Sequence, residues 1–213
     1  MTDRAQPPQL QVIAGVNGAG RTSIIGAAIR DFGGNYYNPD EAARAMMAGD
    51  PDLELVEANA AAWLHGKDEL EKAIAGGLDF AFETTLGANT MPRKIAEAAS
   101  AGFEVRVWFV GLASAELHIA RVRLRVSKGG HDIPEADIRR RYEHSRLNLV
   151  HLLPVVTELR VFDNSADADP ATGQAPEPVL VLHVERRRIV GPPDLTGTPQ
   201  WAKPIVAAAL KSR

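Results

Sequence analysis

Short apolar runs alternate with longer amphipathic stretches along most of the chain. Leu10-Gln11-Val12-Ile13-Ala14 is an apolar run of strand length that passes straight into Gly15-Val16-Asn17-Gly18-Ala19-Gly20, and the pattern then predicts a helix from Thr22 to about Arg30. Asn35-Tyr36-Tyr37 predicts a second strand. It ends at Asn38-Pro39-Asp40, where proline is placed to open a helix over Glu41 to Met47. Apolar residues at mixed three- and four-residue spacings from Leu53 to Ala75 predict a long helix that stops at Gly76-Gly77. Phe80-Ala81-Phe82-Glu83 predicts a third strand with a carboxylate at its end, followed by Thr84-Thr85-Leu86-Gly87 and a helix from Pro92 to Ala101.

The β-branched and aromatic run from Glu104 to Val110 predicts a fourth strand. Two basic helices follow, Ser114 to Val126 and Pro134 to beyond Leu149, separated by Ser127-Lys128-Gly129-Gly130-His131-Asp132. Leu159-Arg160-Val161-Phe162-Asp163-Asn164 predicts a final core strand. Val179 to Val184 and Arg187 to Val190 predict an edge hairpin, and Gln200 to Leu210 a closing helix. This alternation predicts an α/β fold with a doubly wound, mostly parallel sheet flanked by helices. With 213 residues and no low-complexity linker, one domain over 1–213 is expected, with a C-terminal extension at about 178–213.

Composition narrows the function classes. Apolar residues make up 45% and charged residues 24% of the chain, enough to bury a core without staples. The net charge of -3 argues against a surface built as a whole for nucleic acid. The chain has no cysteine, which excludes disulfides, thiolate zinc sites and a cysteine nucleophile. Met1 to Pro8 does not read as a secretory signal, and no stretch reads as a membrane span, so a cytoplasmic location is the expectation.

Gly15-Val16-Asn17-Gly18-Ala19-Gly20-Arg21-Thr22 fits G-x-x-x-x-G-K-[ST] at every fixed position except lysine, in the strand-to-helix setting the motif requires. Its glycines let backbone N–H groups turn onto phosphate oxygens at a helix N-terminus. The motif assigns Gly15, Asn17, Gly18, Ala19, Gly20, Arg21, Thr22 and Ser23 to an ATP or GTP, with the Thr22 hydroxyl a ligand for Mg²⁺. The fold expected is therefore of the P-loop NTPase type. Arg21 departs from the motif: guanidinium is planar and wider than ammonium and prefers fork-like pairing.

The segments Gly15 to Gly20, Asn38-Pro39-Asp40, Phe82 to Gly87, Arg121 to Glu135, Arg139-Arg140-Arg141-Tyr142 with Asn148-Leu149, and Asp163-Asn164-Ser165 together resemble the shorter branch of the zeta-toxin-like P-loop kinases, over roughly residues 10 to 166. The resemblance implies a phosphotransferase acting on a hydroxyl of a small metabolite, for example a nucleotide sugar such as UDP-N-acetylglucosamine. It implies that Asp40 acts on the acceptor hydroxyl, that Glu83 places the acceptor, and that Arg125 and Arg140 close over the phosphates. Arg121, Arg139, Arg141 and Arg146 are neighbours it does not rank. It also implies an antitoxin protein as a partner.

Each assignment has a plainer alternative. Asp40 would serve equally as the cap of the following helix. The arginines would serve as solvated helix faces or as a nucleic-acid patch, although the Gly129-Gly130 pair between them suits a phosphate-covering lid at about 114–150. Asn164 either contacts the nucleotide near the loop or, with Asp163 and Ser165, ends a strand. His131 has no nearby ligand set, which argues against a metal there. At the level of function, the alternatives are a nucleotide-binding regulatory protein whose transfer is impaired by Arg21, and a nucleic-acid-binding protein using the arginine helices.

Overall fold

Strand β1 (Gln9–Ala14) lies in the middle of the sheet because both its faces are apolar: Leu10, Val12, Ile13 and Ala14 are wholly buried, as a strand covered on two sides requires. It pairs in parallel with β3 (Phe80–Thr84) on one side and β4 (Glu104–Gly111) on the other. Strand β2 (Asn35–Tyr37) extends the sheet beyond β3, and β5 (Glu158–Asp163) extends it beyond β4, both in parallel. Strands β6 (Val179–Glu185) and β7 (Arg188–Gly191) add an antiparallel hairpin, giving the order β2-β3-β1-β4-β5-β6-β7. The computed structural model describes residues 6–21, 35–167 and 177–212. The helix expected from Thr22 to about Arg30, with Thr22 and Ser23, lies outside the described residues.

Six helices lie among the described residues: α1 (Pro39–Gly49), α2 (Leu55–Gly76), α3 (Thr90–Ser100), α4 (Ala115–Ser127), α5 (Glu135–Leu152) and α6 (Lys203–Lys211). The alternation of each strand decides what it meets. Leu10, Val12, Phe80, Phe82, Val107 and Phe109 share the main core with Leu70 of α2, Ile95 of α3, Leu149 of α5 and Ile205 of α6. On the opposite face Ile13 meets Val110 and Ala19, with Tyr36 and Trp108 against them. The two basic helices fasten to each other and to the glycine loop through Val16, Ile119, Val122 and Ile138.

Two elements differ from the sequence reading. Strand β5 is not the last strand of the core. Val181, Leu182 and Val184 of β6 are buried in the same cluster as Ile205 and Val206, because α6 packs over the hairpin. Helix α1 is capped by Asn38, not Asp40: the Asn38 Oδ1 accepts the backbone N–H of Asp40 at 2.9 Å and of Glu41 at 3.3 Å. With Pro39 in the first turn, the helix begins earlier than Glu41, and the Asp40 carboxylate is released from capping. Helix α2 does stop as expected, with Gly77 left-handed at φ 61°.

Candidate active site

The glycine loop crosses the C-terminal end of β1 so closely that Gly15 admits no side chain. At φ 147° a Cβ there would stand 2.3 Å from the Val110 carbonyl oxygen. Three neighbours then hold the loop by its carbonyls and by Asn17. The Asn164 Nδ2 donates to the Ala19 carbonyl at 2.8 Å. The His118 Nδ1 donates to the Asn17 carbonyl at 2.9 Å, and the Arg141 Nη1 donates to the Asn17 Oδ1 at 2.8 Å. His118 is 1% exposed. Burial pushes its pKa down to about 4, so the ring is neutral at pH 7 and carries its proton on Nδ1, facing an oxygen that can only accept. Gly18, Ala19 and Gly20 line a hollow of 260 Å³, and Arg121 and Arg125 of α4 border it opposite.

Arg21 borders this hollow and engages its guanidinium at the strand ends. Its Nε donates to the Glu83 Oε2 at 3.2 Å, its Nη2 lies 3.7 Å from the Asp40 Oδ2, and its Nη1 donates to the Gly15 and Thr84 carbonyls. Glu83 pairs opposite Ile13 at the end of an apolar strand. Its side chain is 1% exposed, and a carboxylate so deeply desolvated requires a partner. Tyr36 supplies another, donating its O–H to the Glu83 Oε1 at 2.7 Å. Burial, and then the bond to this carboxylate, push the Tyr36 phenol well above its ordinary range, which keeps it a donor.

A cavity of 280 Å³ opens on the other side of Asp40 and Arg21. Trp63, Tyr37, Phe82 and Met91 give it apolar walls, and Arg140 and Arg141 form its cationic edge. Asp40 borders both this cavity and the loop hollow. The wall formed by the segment after β3 is fixed from α5, where Asn148 Nδ2 donates to the Leu86 carbonyl at 2.7 Å and to the Ala88 carbonyl at 3.3 Å.

The arginines of α4 and α5 divide into two groups. Arg123 and Arg139 are exposed and pair with Glu135 and Glu116, as solvated faces do. Arg121, Arg125 and Arg141 turn inward, and Arg140 is half-exposed against Asp137 while bordering the cavity. Arg125 donates to the His131 carbonyl at 3.0 Å, and a Cβ on Gly130 would meet its Cγ at 2.6 Å. The fold thus brings Asp40, Glu83, Arg125, Arg140 and Asn164 around the loop residues Gly15 to Arg21. Asp163 is drawn elsewhere: it accepts from the Ser165 N–H at 3.1 Å and the Trp201 Nε1 at 3.3 Å.

Sequence reasoning left Arg141 unranked, quoted Asn148 without giving it a role, and overlooked Tyr36, His118 and Trp63. For Arg141 and Asn148 a signal existed. Ile138, Arg141, Ser145, Asn148, Leu149 and Leu152 recur at helical spacing, so both polar residues belong to the inward stripe of α5. Tyr36, His118 and Trp63 carry no such mark, because their partners come from distant segments.

Comparisons with known proteins bear on the family and the fold. The family model described as zeta toxin matches residues 1–168. An uncharacterized protein of Haemophilus influenzae is 34% identical over 70 residues, which is 33% of this chain and 50% of that protein, so the match spans half the length of the relative. The crystal structure of AvrRxo1-ORF1:-ORF2 with ATP superposes at a TM-score of 0.65 and 16% identity, covering 98% of this chain and 65% of that one. A structure of the PezAT chromosomal toxin-antitoxin system of Streptococcus pneumoniae superposes at 0.56 and 16% identity, covering 75% of this chain and 68% of that one. At these identities the structural likeness shows the fold alone, a mostly parallel sheet flanked by helices. The match of the family model over most of the chain shows the family: this protein belongs to the zeta toxin family.

Proposed function

We propose that the protein is a phosphotransferase that moves the terminal phosphoryl group of ATP or GTP to a hydroxyl of a small metabolite, a nucleotide sugar such as UDP-N-acetylglucosamine being one acceptor. The observation that carries this reading is the position of Asp40, whose carboxylate borders both the glycine-loop hollow and the neighbouring cavity. A group at that junction can take the acceptor's proton as its oxygen attacks phosphorus and the bond to the leaving nucleoside diphosphate breaks. Loop amides would hold the donor phosphates, and Arg121, Arg125, Arg140 and Arg141 would meet the charge that develops on the transferred group. Glu83 would set the acceptor's place against Asp40.

Asp40 offers an oxygen ligand at the edge of the hollow, a donor that suits a hard cation, and with the Thr22 hydroxyl expected from the motif it would hold Mg²⁺. Bound there, the ion would neutralise phosphate charge. The PezAT precedent supports a protein antitoxin as a partner. No described helix is long and apolar enough to cross a membrane.

Calorimetry with Mg·ATP and Mg·GTP tests the nucleotide site, comparing the wild type with Gly20→Val, which obstructs the loop. Saturable binding lost in the variant is expected, followed by acceptor-dependent nucleoside diphosphate release that Asp40→Asn abolishes. Absence of binding at millimolar nucleotide refutes the reading. The pairing of Arg21 with both carboxylates also favours a second reading, a regulatory protein that binds nucleotide without efficient transfer. Binding without acceptor-dependent turnover would select it.

A further inference from the structure

Arg21 occupies the position at which the P-loop motif carries lysine and borders the hollow where phosphates would lie, yet its nitrogens are engaged by carboxylates and carbonyls at the strand ends. Its three nitrogens face three directions: Glu83 at 3.2 Å, Asp40 at 3.7 Å, and the carbonyls of Gly15 and Thr84. A planar fork of five N–H donors serves such divergent acceptors together, and a lysine ammonium on a flexible stem does not. The contacts continue beyond Glu83. Tyr36 donates to its second oxygen at 2.7 Å, and Asn38 Nδ2 donates to the Tyr36 hydroxyl at 3.3 Å. The Asn38 Oδ1 caps the helix that carries Asp40. Asn38, Tyr36, Glu83, Arg21 and Asp40 therefore form a closed circuit joining the two candidate carboxylates. Besides Arg21, whose nitrogens are engaged as described, the hollow is bordered by the cations Arg121 and Arg125, while Arg141 reaches the loop at Asn17.

We propose that Arg21 is a positioning residue for Asp40 and Glu83 rather than a phosphate ligand, and that the charge normally met by the P-loop lysine is met here by arginines of α4 and α5. The functional part of this inference rests on the phosphotransfer reading of the site. Its structural part does not. Restoring the lysine of the motif would break the circuit, so Arg21→Lys is expected to impair transfer instead of repairing it.

The test follows the Arg21 side-chain Nε–H resonance in the ¹⁵N-labelled full-length protein, assigned by its loss in Arg21→Lys. In the free protein a slowly exchanging signal is expected, shifted by Glu83→Gln and by Tyr36→Phe. The second variant removes only a hydroxyl and keeps the test usable if the first fails to fold. Addition of Mg·ATP should leave the signal in place and still responsive to both changes. In kinetics, Arg21→Lys should keep ATP affinity within about threefold and lower kcat by about 10- to 100-fold, the scale of a small misplacement of reacting groups. A signal that moves on ATP binding and ceases to respond at Glu83, or a lysine variant with tighter ATP and faster turnover, overturns the proposal. If the wild type binds no ATP, the phosphotransfer reading falls by itself. The free-protein signal then decides alone: a response to Glu83→Gln or Tyr36→Phe sustains positioning, and indifference to both overturns it.

Discussion

Glu83→Gln removes one charge from the most deeply buried ion pair of the site. The Glu83 side chain is 1% exposed and that of Arg21 is 9% exposed, so the guanidinium left behind has little access to water. Breaking a buried pair by deleting one partner costs about 3–5 kcal/mol, mostly because of the orphaned charge. Arg21 would retain Asp40 at 3.7 Å and the Gly15 and Thr84 carbonyls, and Tyr36 would still find an acceptor in the glutamine amide. The loss should therefore fall at the lower end, about 3 kcal/mol. With an m-value of roughly 3 kcal/mol/M for a chain of this size, the urea midpoint at pH 7 should drop by about 1 M. On an Arg21→Met background the same change should cost at least about 1.5 kcal/mol less, since no cation remains to be orphaned. A loss below about 1 kcal/mol, additive with Arg21→Met, would refute the description of Arg21 and Glu83 as a buried pair.

Other perturbations follow from contacts elsewhere. The unfolded chain binds a proton on His118 near pH 6.5, whereas the folded chain refuses it until about pH 4. The contribution of that site is thus complete above pH 6.5 and is lost as pH falls toward 4, on the order of 3 kcal/mol in all, and urea titrations of His118→Gln should show a shallower acid limb. Trp201→Ala empties the space over Gly111, where a Cβ would stand 2.3 Å from the indole, and strips packing from Phe109. A loss of about 3–5 kcal/mol is expected, visible as a lowered thermal midpoint. Arg141→Ala removes the cation bonded to Asn17 and should weaken Mg·ATP by about 1.5–3 kcal/mol, the range for a charged hydrogen bond; unchanged affinity in calorimetry would count against the arginine's part in the loop.

The parallel part of the sheet was legible because β1 and β3 are buried on both faces and appear as short apolar runs, and β4 as a β-branched and aromatic run, between turn residues. Asp40 and Glu83 could be placed at strand ends for the same reason. The place of β6 was hidden because nothing local tells an exposed edge hairpin from one covered by a later helix. Asn38 and Asp40 are both good caps by type, and only the geometry around Pro39 chooses between them. Ranking Arg141 beside Arg140 needed the phase of α5, since neighbouring helical residues point about 100° apart. The direction of Arg21 was least accessible of all, because it depends on carboxylates 19 and 62 positions away along the chain, which meet only when the sheet is formed.

Helix α5 touches the glycine loop through Arg141 and the segment after β3 through Asn148, seven residues further on. Two turns of helix make this interval a gauge of about 10 Å with nearly aligned ends. The distance between these two anchor points is thereby set by helical pitch rather than by loop conformation. Single replacements along the outer side of the gauge leave its length alone. One residue inserted between the two contacts would rotate one end by about 100° and uncouple the loop from the wall it faces. In this part of the chain the count of residues is under stricter constraint than their identity, and a protein that alters the interval must rebuild the cavity with it.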